Sequence, residues 1–462
     1  MDPIRRSELD ELTLMPKSKL SAEKLAQNFA DLHPAYAPQE ARIEAARCLY
    51  CWDAPCTRAC PTGIDVPTFI RQILEKNSGG AAETILSENI LGGSCARACP
   101  TEVLCEGACV DRTLEKAPVE IGRLQRFATD YAAKRKLQFF EPGPESGFTV
   151  VVVGSGPAGL ACAHELRRLG HGVRVLEASD VPGGLNTTGI SPYKISTEFA
   201  LSEVEQASAI GFEIELNSPV TGADLRELLE QNDAVFLGVG LGQTAPLNIP
   251  GEDAAGVWEA LDFIEQAHRM PLKECEVGTQ VVVIGGGNTA VDVATEAVRL
   301  GADQTTIAYR RSREQMPAFA YEVELAVSDQ IGFEWCVQPV EFVAEAGRLV
   351  AVRFRRQRLE GEGRAGTLVD AGGDDLVLPC DQAIKALGQL PRSDFLSSID
   401  GLKIDGGRVV IDDKTRATSV AGLFAGGDCI SRGGEIVDAV QDGKIAARGI
   451  DHTLRQKPKE PR

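Results

Sequence analysis

The pattern of apolar and polar positions changes character several times along this chain, and the changes divide it. Phe148-Thr-Val-Val-Val-Val153 and Gln280-Val-Val-Val-Ile284 are unbroken apolar runs rich in β-branched residues. Such runs predict strands buried on both faces of a parallel sheet. Each leads straight into glycines and then into a helix-patterned segment, so the chain contains two strand–glycine turn–helix units. Val173-Arg-Val-Leu-Glu177 follows the first as a further strand ending in an acid. Upstream, Ser21 to Leu32, Pro67 to Glu75 and Pro118 to Ala133 read as short amphipathic helices. Between Leu349 and Leu378 the pattern alternates and is heavily charged (Val352-Arg-Phe-Arg-Arg-Gln-Arg358), which predicts an exposed antiparallel meander.

Punctuation between these segments suggests domain limits. Glu141-Pro-Gly-Pro-Glu-Ser-Gly147 reads as a linker, because Pro and Gly continue neither regular structure. The expected organisation is a helical domain over 1–145 and a first dinucleotide-binding domain over 147–270, resumed at 391–455. A second such domain, 271–390, is inserted in the first. The fold class is α/β, with a helical N-terminal domain before two Rossmann-like domains. A chain of 462 residues is long enough for two or three domains, and 47 glycines with 5% aromatics suit a fold built on tight strand-to-helix turns.

Charge narrows the partners. A formal net charge of −19 argues against nucleic acid or an anionic membrane surface. No window of the sequence is long and apolar enough to span a membrane. Met1 to Leu20 is polar and of mixed charge, without the apolar core of a signal peptide, so the cytoplasm is the expected compartment. Thiols there stay reduced unless a metal or a reaction claims them.

That matters because eight of the 13 cysteines lie between Cys48 and Cys109. The first group is Cys48-x2-Cys51-x4-Cys56-x3-Cys60-Pro61, the second Cys95-x3-Cys99-Pro100-x4-Cys105-x3-Cys109. Zinc sites usually repeat two tight Cys-x2-Cys pairs, and only one occurs here. A tight pair, a third cysteine and a following Cys-Pro fit the ferredoxin habit, in which the last cysteine of a run serves the other cluster.

The two glycine turns carry the nucleotide chemistry. Gly154-Ser155-Gly156-Pro157-Ala158-Gly159 opens a helix, whose N–H groups and positive dipole end suit a pyrophosphate. Glu177, 18 residues beyond Gly159, stands where an acid holds ribose hydroxyls. Gly285-Gly286-Gly287-Asn288-Thr289-Ala290 repeats the arrangement. After its next strand come Arg310, Arg311 and Arg313 in place of an acid, which favours a 2′-phosphate and hence NADP(H), with NAD(H) the alternative.

Cys48-Leu-Tyr-Cys-Trp-Asp-Ala-Pro-Cys-Thr-Arg-Ala-Cys-Pro61, Leu91-Gly-Gly-Ser-Cys-Ala-Arg-Ala-Cys-Pro100, Leu104-Cys-Glu-Gly-Ala-Cys109 and Ile121-Gly-Arg-Leu-Gln-Arg-Phe-Ala128 resemble the N-terminal iron–sulfur domain of dihydropyrimidine dehydrogenase and of the glutamate synthase small subunit. The resemblance implies two 4Fe–4S clusters. One takes Cys48, Cys51, Cys56 and Cys109, the other Cys60, Cys99, Cys105 and Gln125; Cys95 in place of Gln125 is the alternative. Gly183-Gly184-Leu185 and Gly422-Leu-Phe-Ala-Gly-Gly427-Asp428 resemble the flavoproteins with two dinucleotide-binding domains. There Asp428 would hold the ribityl and phosphate part of FAD, and a helix from about Glu435 would point at the flavin ring. Lys194 and Val220 are further expected cofactor contacts, and Ala386-Leu387-Gly388 matches the loop that closes on the nicotinamide.

Flavin enzymes that reduce disulfides carry a redox cysteine pair beside the flavin, and none occurs after Cys109. Electrons arriving by hydride would therefore leave through the N-terminal clusters, and no side-chain acid or base is assigned. The expected activity is NAD(P)H oxidation by the electron-input subunit of a bacterial dihydropyrimidine dehydrogenase. Uracil or thymine would be reduced on a separate FMN- and iron–sulfur-containing subunit of a hetero-oligomer. The alternative is a glutamate synthase small subunit. A non-enzymatic cluster scaffold is disfavoured by the intact Gly154, Glu177, Asp428 and Gly285.

Overall fold

The computed structural model describes residues 20–115, 117–361, 366–431 and 433–456. The polar N-terminal stretch thus lies outside the described residues up to position 19. The chain forms two compact units, Asp31–Gln243 with Gln389–Arg462, and Met1–Ala30 with Thr244–Gly388.

The first unit begins with short helices. Val66, Phe69, Ile70 and Ile73 recur on one face of Val66–Leu74, and Asp65 caps this helix by accepting the Thr68 N–H at 3.2 Å. Ser78–Glu88 and Ile121–Arg135 pack around it, with Phe69, Ile85, Leu124 and Ala128 fully buried in one core. Gln125 lies on the same buried stripe of its helix, between Leu124 and Ala128.

A five-stranded parallel sheet follows, in the order Leu423–Ala425, Ala234–Leu237, Thr149–Val153, Gly172–Leu176, Glu213–Glu215. Its central strand shows why the valine run folds this way. Val150 and Val152 enter one apolar cluster, with the helices Pro157–Arg168 and Ile436–Arg455, while Val151 and Val153 enter another, with Leu225, Leu228 and Leu396. Successive side chains point to opposite faces, and both faces are covered. Each buried valine contributes about 1.5 kcal/mol or more over an exposed one. The strand Leu423–Ala425 arrives after a long excursion, so one nucleotide-binding fold is inserted within the other.

The second unit repeats the plan, with parallel strands Val257–Glu259, Gln382–Ala386, Gln280–Gly285, Gln304–Tyr309 and Gly332–Trp335 in that order. Its sheet takes in residues 257–259 and its core the helix Ala260–Arg269, both upstream of position 271, because Phe263 and Ile264 share a core with Val281 and Val283. The helix Ala22–Asn28 also belongs to this unit: Leu25 enters the same core, and Asn28 donates to the Arg299 carbonyl at 2.8 Å.

The charged stretch from Leu349 is part of an antiparallel sheet of Val337–Glu345, Arg348–Glu360, Thr367–Asp370 and Leu376–Pro379. It is exposed on one face only. Leu349, Val352 and Phe354 pack against Val282 and Ile284 of the parallel sheet, whereas Arg353, Arg355, Arg356 and Arg358 are exposed or half-buried.

Candidate cofactor sites

The cysteines fall into two spatial groups. Cys48, Cys51, Cys56 and Cys109 line one cavity of about 380 Å3, its open mouth included, with Val66, Ile70, Val119 and Ile121 forming an apolar wall. Burial pushes the Cys56 thiol up to about 11, and the neighbouring Cys48 and Cys109 push it the same way. Burial likewise raises Cys48, beside Cys51 and Cys109. The second group is marked by Cys99, held well above the ordinary thiol range by a hydrogen bond with Cys95, by burial and by nearby Cys105. Cys105 is raised by burial and by Glu106, and Cys60 stands beside it. Thiolates gathered against an apolar wall are unfavourable when bare, and iron held there would supply the missing positive charge.

The two candidates for the last ligand position, Gln125 and Cys95, have different partners. Gln125 is 7% exposed, and its Nε2 donates to the Gly92 carbonyl at 2.6 Å. The Cys95 sulfur, 3% exposed, accepts from Asn89 Nδ2 at 3.1 Å.

The first glycine turn is shaped for a ligand. Gly154 has φ +99°, and a Cβ there would lie 2.4 Å from the Gly238 carbonyl oxygen. A Cβ on Gly159 would lie 1.9 Å from the Gly154 carbonyl oxygen, so only glycine lets the helix return over the strand. Gly156 differs, because its nearest prospective neighbour is the Gly184 Cα at 4.0 Å. The helix begins with Pro157, whose missing N–H costs nothing at that position, followed by the buried Ala158. Glu177 is tied to the turn: its Oε2 accepts the Ser155 N–H at 2.8 Å and the Ser155 hydroxyl at 2.6 Å, and its Oε1 accepts the Ser179 N–H at 2.9 Å. One lone pair, on Oε1, remains for a ribose hydroxyl.

Distant segments meet at this turn. Gly183 donates its N–H to the Ser155 hydroxyl at 3.1 Å, and Gly184 (φ +58°) lies against Gly156. Leu185, 38% exposed, starts a short helix behind it. A Cβ on Gly427 would lie 3.0 Å from that of Ala158, and the Gly427 N–H donates to Asp442 Oδ2 at 2.9 Å. Asp428 follows, accepting the Gly434 N–H at 3.0 Å; burial raises its carboxyl above the ordinary range. Val220 packs partly buried with Val151 and Val153. Lys194 lies in the same unit, its Nζ 6.0 Å from the centre of the Tyr193 ring.

In the second unit Gly285 has φ +152°, and a Cβ there would lie 2.2 Å from the Ala386 carbonyl oxygen. This contact brings the Ala386-Leu387-Gly388 segment to the turn; Leu387 is 37% exposed and Gly388 has φ +82°. Gly286 rests on the Tyr309 ring, 2.5 Å from its prospective Cβ, whereas Gly287 faces open space. Asn288 Oδ1 accepts the Phe319 N–H at 3.0 Å, and Thr289 is exposed beside it. Arg310 and Arg313 are exposed, and Arg311 is half-buried with Nη1 donating to the Gly366 carbonyl at 3.3 Å.

Three contributors escaped the sequence reading. Asp442 holds the Gly427 amide, Tyr309 floors the second turn, and Gly443 admits the helix Ile436–Arg455 to within touching distance of the Ala158 carbonyl. A glycine in a helix interior costs about 1 kcal/mol, so Gly443 was the available signal of a close approach.

Comparison with known proteins agrees with this geometry. Residues 25–137 match the family of dihydropyrimidine dehydrogenase domain II, 4Fe-4S cluster, and residues 148–443 match the pyridine nucleotide-disulphide oxidoreductase family. The chain is 35% identical to the NAD-dependent dihydropyrimidine dehydrogenase subunit PreT of Escherichia coli O157:H7, over 93% of this chain and 98% of that one. It is 33% identical to the glutamate synthase [NADPH] small chain of Escherichia coli K12, over 95% and 96% respectively. Among solved structures, Mycobacterium tuberculosis FprA in complex with NADPH shares the fold at 20% identity, with a TM-score of 0.55 over 68% of this chain and 85% of that one. Among the described residues no helix is long and apolar enough to cross a membrane. With both nucleotide turns intact and the cysteine groups in place, this chain belongs to the pyridine nucleotide-disulphide oxidoreductase family and carries the dihydropyrimidine dehydrogenase 4Fe–4S domain at its N-terminus, as an NAD(P)H-dependent flavin and iron–sulfur oxidoreductase.

Proposed function

We propose that this chain is the electron-input subunit of a dihydropyrimidine dehydrogenase, working in a cytoplasmic hetero-oligomer whose other subunit reduces uracil or thymine. One observation carries the reading: both cysteine groups and the first nucleotide turn belong to the same compact unit. The PreT likeness, extending over 98% of that chain, supports the pyrimidine assignment.

Bound in these sites, a nicotinamide would supply hydride, a flavin would take up that electron pair, and the clusters would carry single electrons onward. The residues supply the holding. Gly154, Gly156 and the N-terminus of Pro157–Arg168 receive the FAD pyrophosphate, Glu177 the ribose hydroxyls and Asp428 the ribityl chain. Cys48, Cys51, Cys56 and Cys109 ligate one 4Fe–4S cluster; Cys60, Cys99, Cys105 and Gln125 ligate the other. The Gln125 amide, anchored on Gly92 through Nε2, leaves its oxygen as the donor to iron. Gly285 to Thr289 receive the second dinucleotide, and the exposed Arg310 and Arg313 favour NADP(H) over NAD(H).

The likeness to the glutamate synthase small chain supports a second reading, in which the partner makes glutamate. Co-purification from the native cell, followed by assays with NAD(P)H, separates the two. The proposal expects loss of uracil. Glutamate formed from glutamine and 2-oxoglutarate, without uracil turnover, contradicts it.

A further inference from the structure

One buried cation has no part in the sites described so far. Lys444, on the helix Ile436–Arg455, is 5% exposed. Its Nζ donates to the Glu88 carbonyl at 2.6 Å and to Glu88 Oε2 at 2.8 Å, and lies 3.5 Å from the Thr62 carbonyl oxygen. Thr62 is 4% exposed, and its hydroxyl lies 3.3 Å from the Cys60 sulfur. The turn is closed by the Gly63 N–H donating to the Cys60 carbonyl at 2.9 Å. Thr62 thus bridges a cluster ligand and the ammonium, sulfur on one side and cation on the other.

The same helix is fixed at the flavin turn by the two preceding residues. Asp442 accepts the Gly427 N–H, and Gly443 fits against the Ala158 carbonyl. Consecutive residues 442–444 therefore join the flavin turn to the Cys60 turn through one rigid element.

The ion pair beside the Cys60 turn is unevenly screened. The Lys444 side chain is 7% exposed and that of Glu88 is 42% exposed, so water screens the carboxylate more than the ammonium. A cluster gains one negative charge when it takes up an electron. Net positive potential and hydrogen bonds to its sulfurs both favour that state.

We propose that Lys444 and Thr62 are positioning residues that raise the reduction potential of the cluster ligated by Cys60, and so favour its reduction. The proposal rests on Cys60 being a cluster ligand. Its test is a potentiometric titration of the reconstituted full chain, each cluster followed by electron paramagnetic resonance, with iron and flavin content measured beside it. Lys444→Met should make one cluster about tenfold harder to reduce at a fixed ambient potential, about 59 mV for one electron. Thr62→Val should shift the same cluster in the same direction by less, and Lys444→Arg should restore most of the parent value. Glu88→Gln should shift it the opposite way, since it removes the opposing charge. A merely structural clamp would not give opposite signs.

Unchanged potentials in iron-replete Lys444→Met overturn the proposal, as does an equal shift in Lys444→Arg. Should Lys444→Met lose its iron, Glu88→Gln decides: no upward shift there overturns it. A parent chain that binds no iron defeats the cluster reading itself, a result distinct from any of these.

Discussion

Gln125 donates its side-chain amide to the Gly92 carbonyl at 2.6 Å, and among the described residues no donor reaches its Oε1. Its oxygen therefore keeps its lone pairs for another partner, such as iron. Gln125→Ala should therefore lose about half the iron, one of two clusters. Cys95→Ala should keep it, because the Cys95 sulfur already accepts from Asn89. Iron analysis and cluster spectra check this, and the opposite pattern would assign the last position to Cys95.

The glycines separate into those the fold needs and those a ligand needs. Gly156 and Gly287 have room for a Cβ, whereas Gly159 and Gly443 would press theirs to 1.9 and 2.2 Å from a carbonyl oxygen. Gly156→Ala should leave the melting temperature of the apoprotein nearly unchanged yet lower its flavin content on reconstitution. Gly443→Ala should destabilise the fold by about 1–3 kcal/mol, the usual cost of overpacking. Flavin retained at parental affinity in Gly156→Ala would remove this turn from the site.

Coenzyme choice rests on Arg310 and Arg313, exposed beyond the strand Gln304–Tyr309. A lost charge-assisted hydrogen bond is worth about tenfold in binding or more. Arg310→Ala should thus lower kcat/KM for NADPH by about that factor while leaving the NADH value in place. Steady-state kinetics with both coenzymes test it, and a parent enzyme that prefers NADH would contradict the NADP(H) reading.

His164, on the helix Pro157–Arg168 of the first nucleotide turn, is 4% exposed and lies edge-on to Phe140. Burial pushes its pKa down to about 3, and Arg168 adds to the shift. The folded chain keeps the imidazole neutral while the unfolded chain protonates it near 6.5, the ordinary value. Its contribution is complete above that pH and declines as pH falls toward 3, by up to about 1.4 kcal/mol per pH unit. Between pH 7.5 and 5.5, denaturation of His164→Leu should therefore depend less on pH than that of the parent. Equal dependence would show that folding does not lower the His164 pKa.

Long patterns were legible in the sequence and short ones were not. The valine runs and glycine turns announced both parallel sheets, because burial on two faces and a left-handed turn each demand particular residues. Pro55–Ala59, Gly92–Ala98 and Asp111–Leu114 are too short to show a helical period, although the first carries Cys56 and the second Cys95. The arginines of 353–358 masked the buried stripe of Leu349, Val352 and Phe354, since in a strand each face holds only alternate residues. Helix Ala22–Asn28 read correctly as a helix, but nothing local said that Leu25 would fill a core some 260 residues away in sequence, beside Ile264 and Val293. Lys444 and Asp442 gave no signal, because their partners, Glu88 and Gly427, come from other segments.

In the proposed function, electrons enter at the nicotinamide and leave through the cysteine-bound clusters. Anaerobic addition of NADPH or NADH to the flavin- and iron-replete chain, followed by optical and paramagnetic spectra, tests it most directly. The flavin band should bleach, and the paramagnetic signal of a reduced 4Fe–4S cluster should then appear. Bleaching with every cluster still oxidised, even with excess coenzyme and at full iron content, would contradict it.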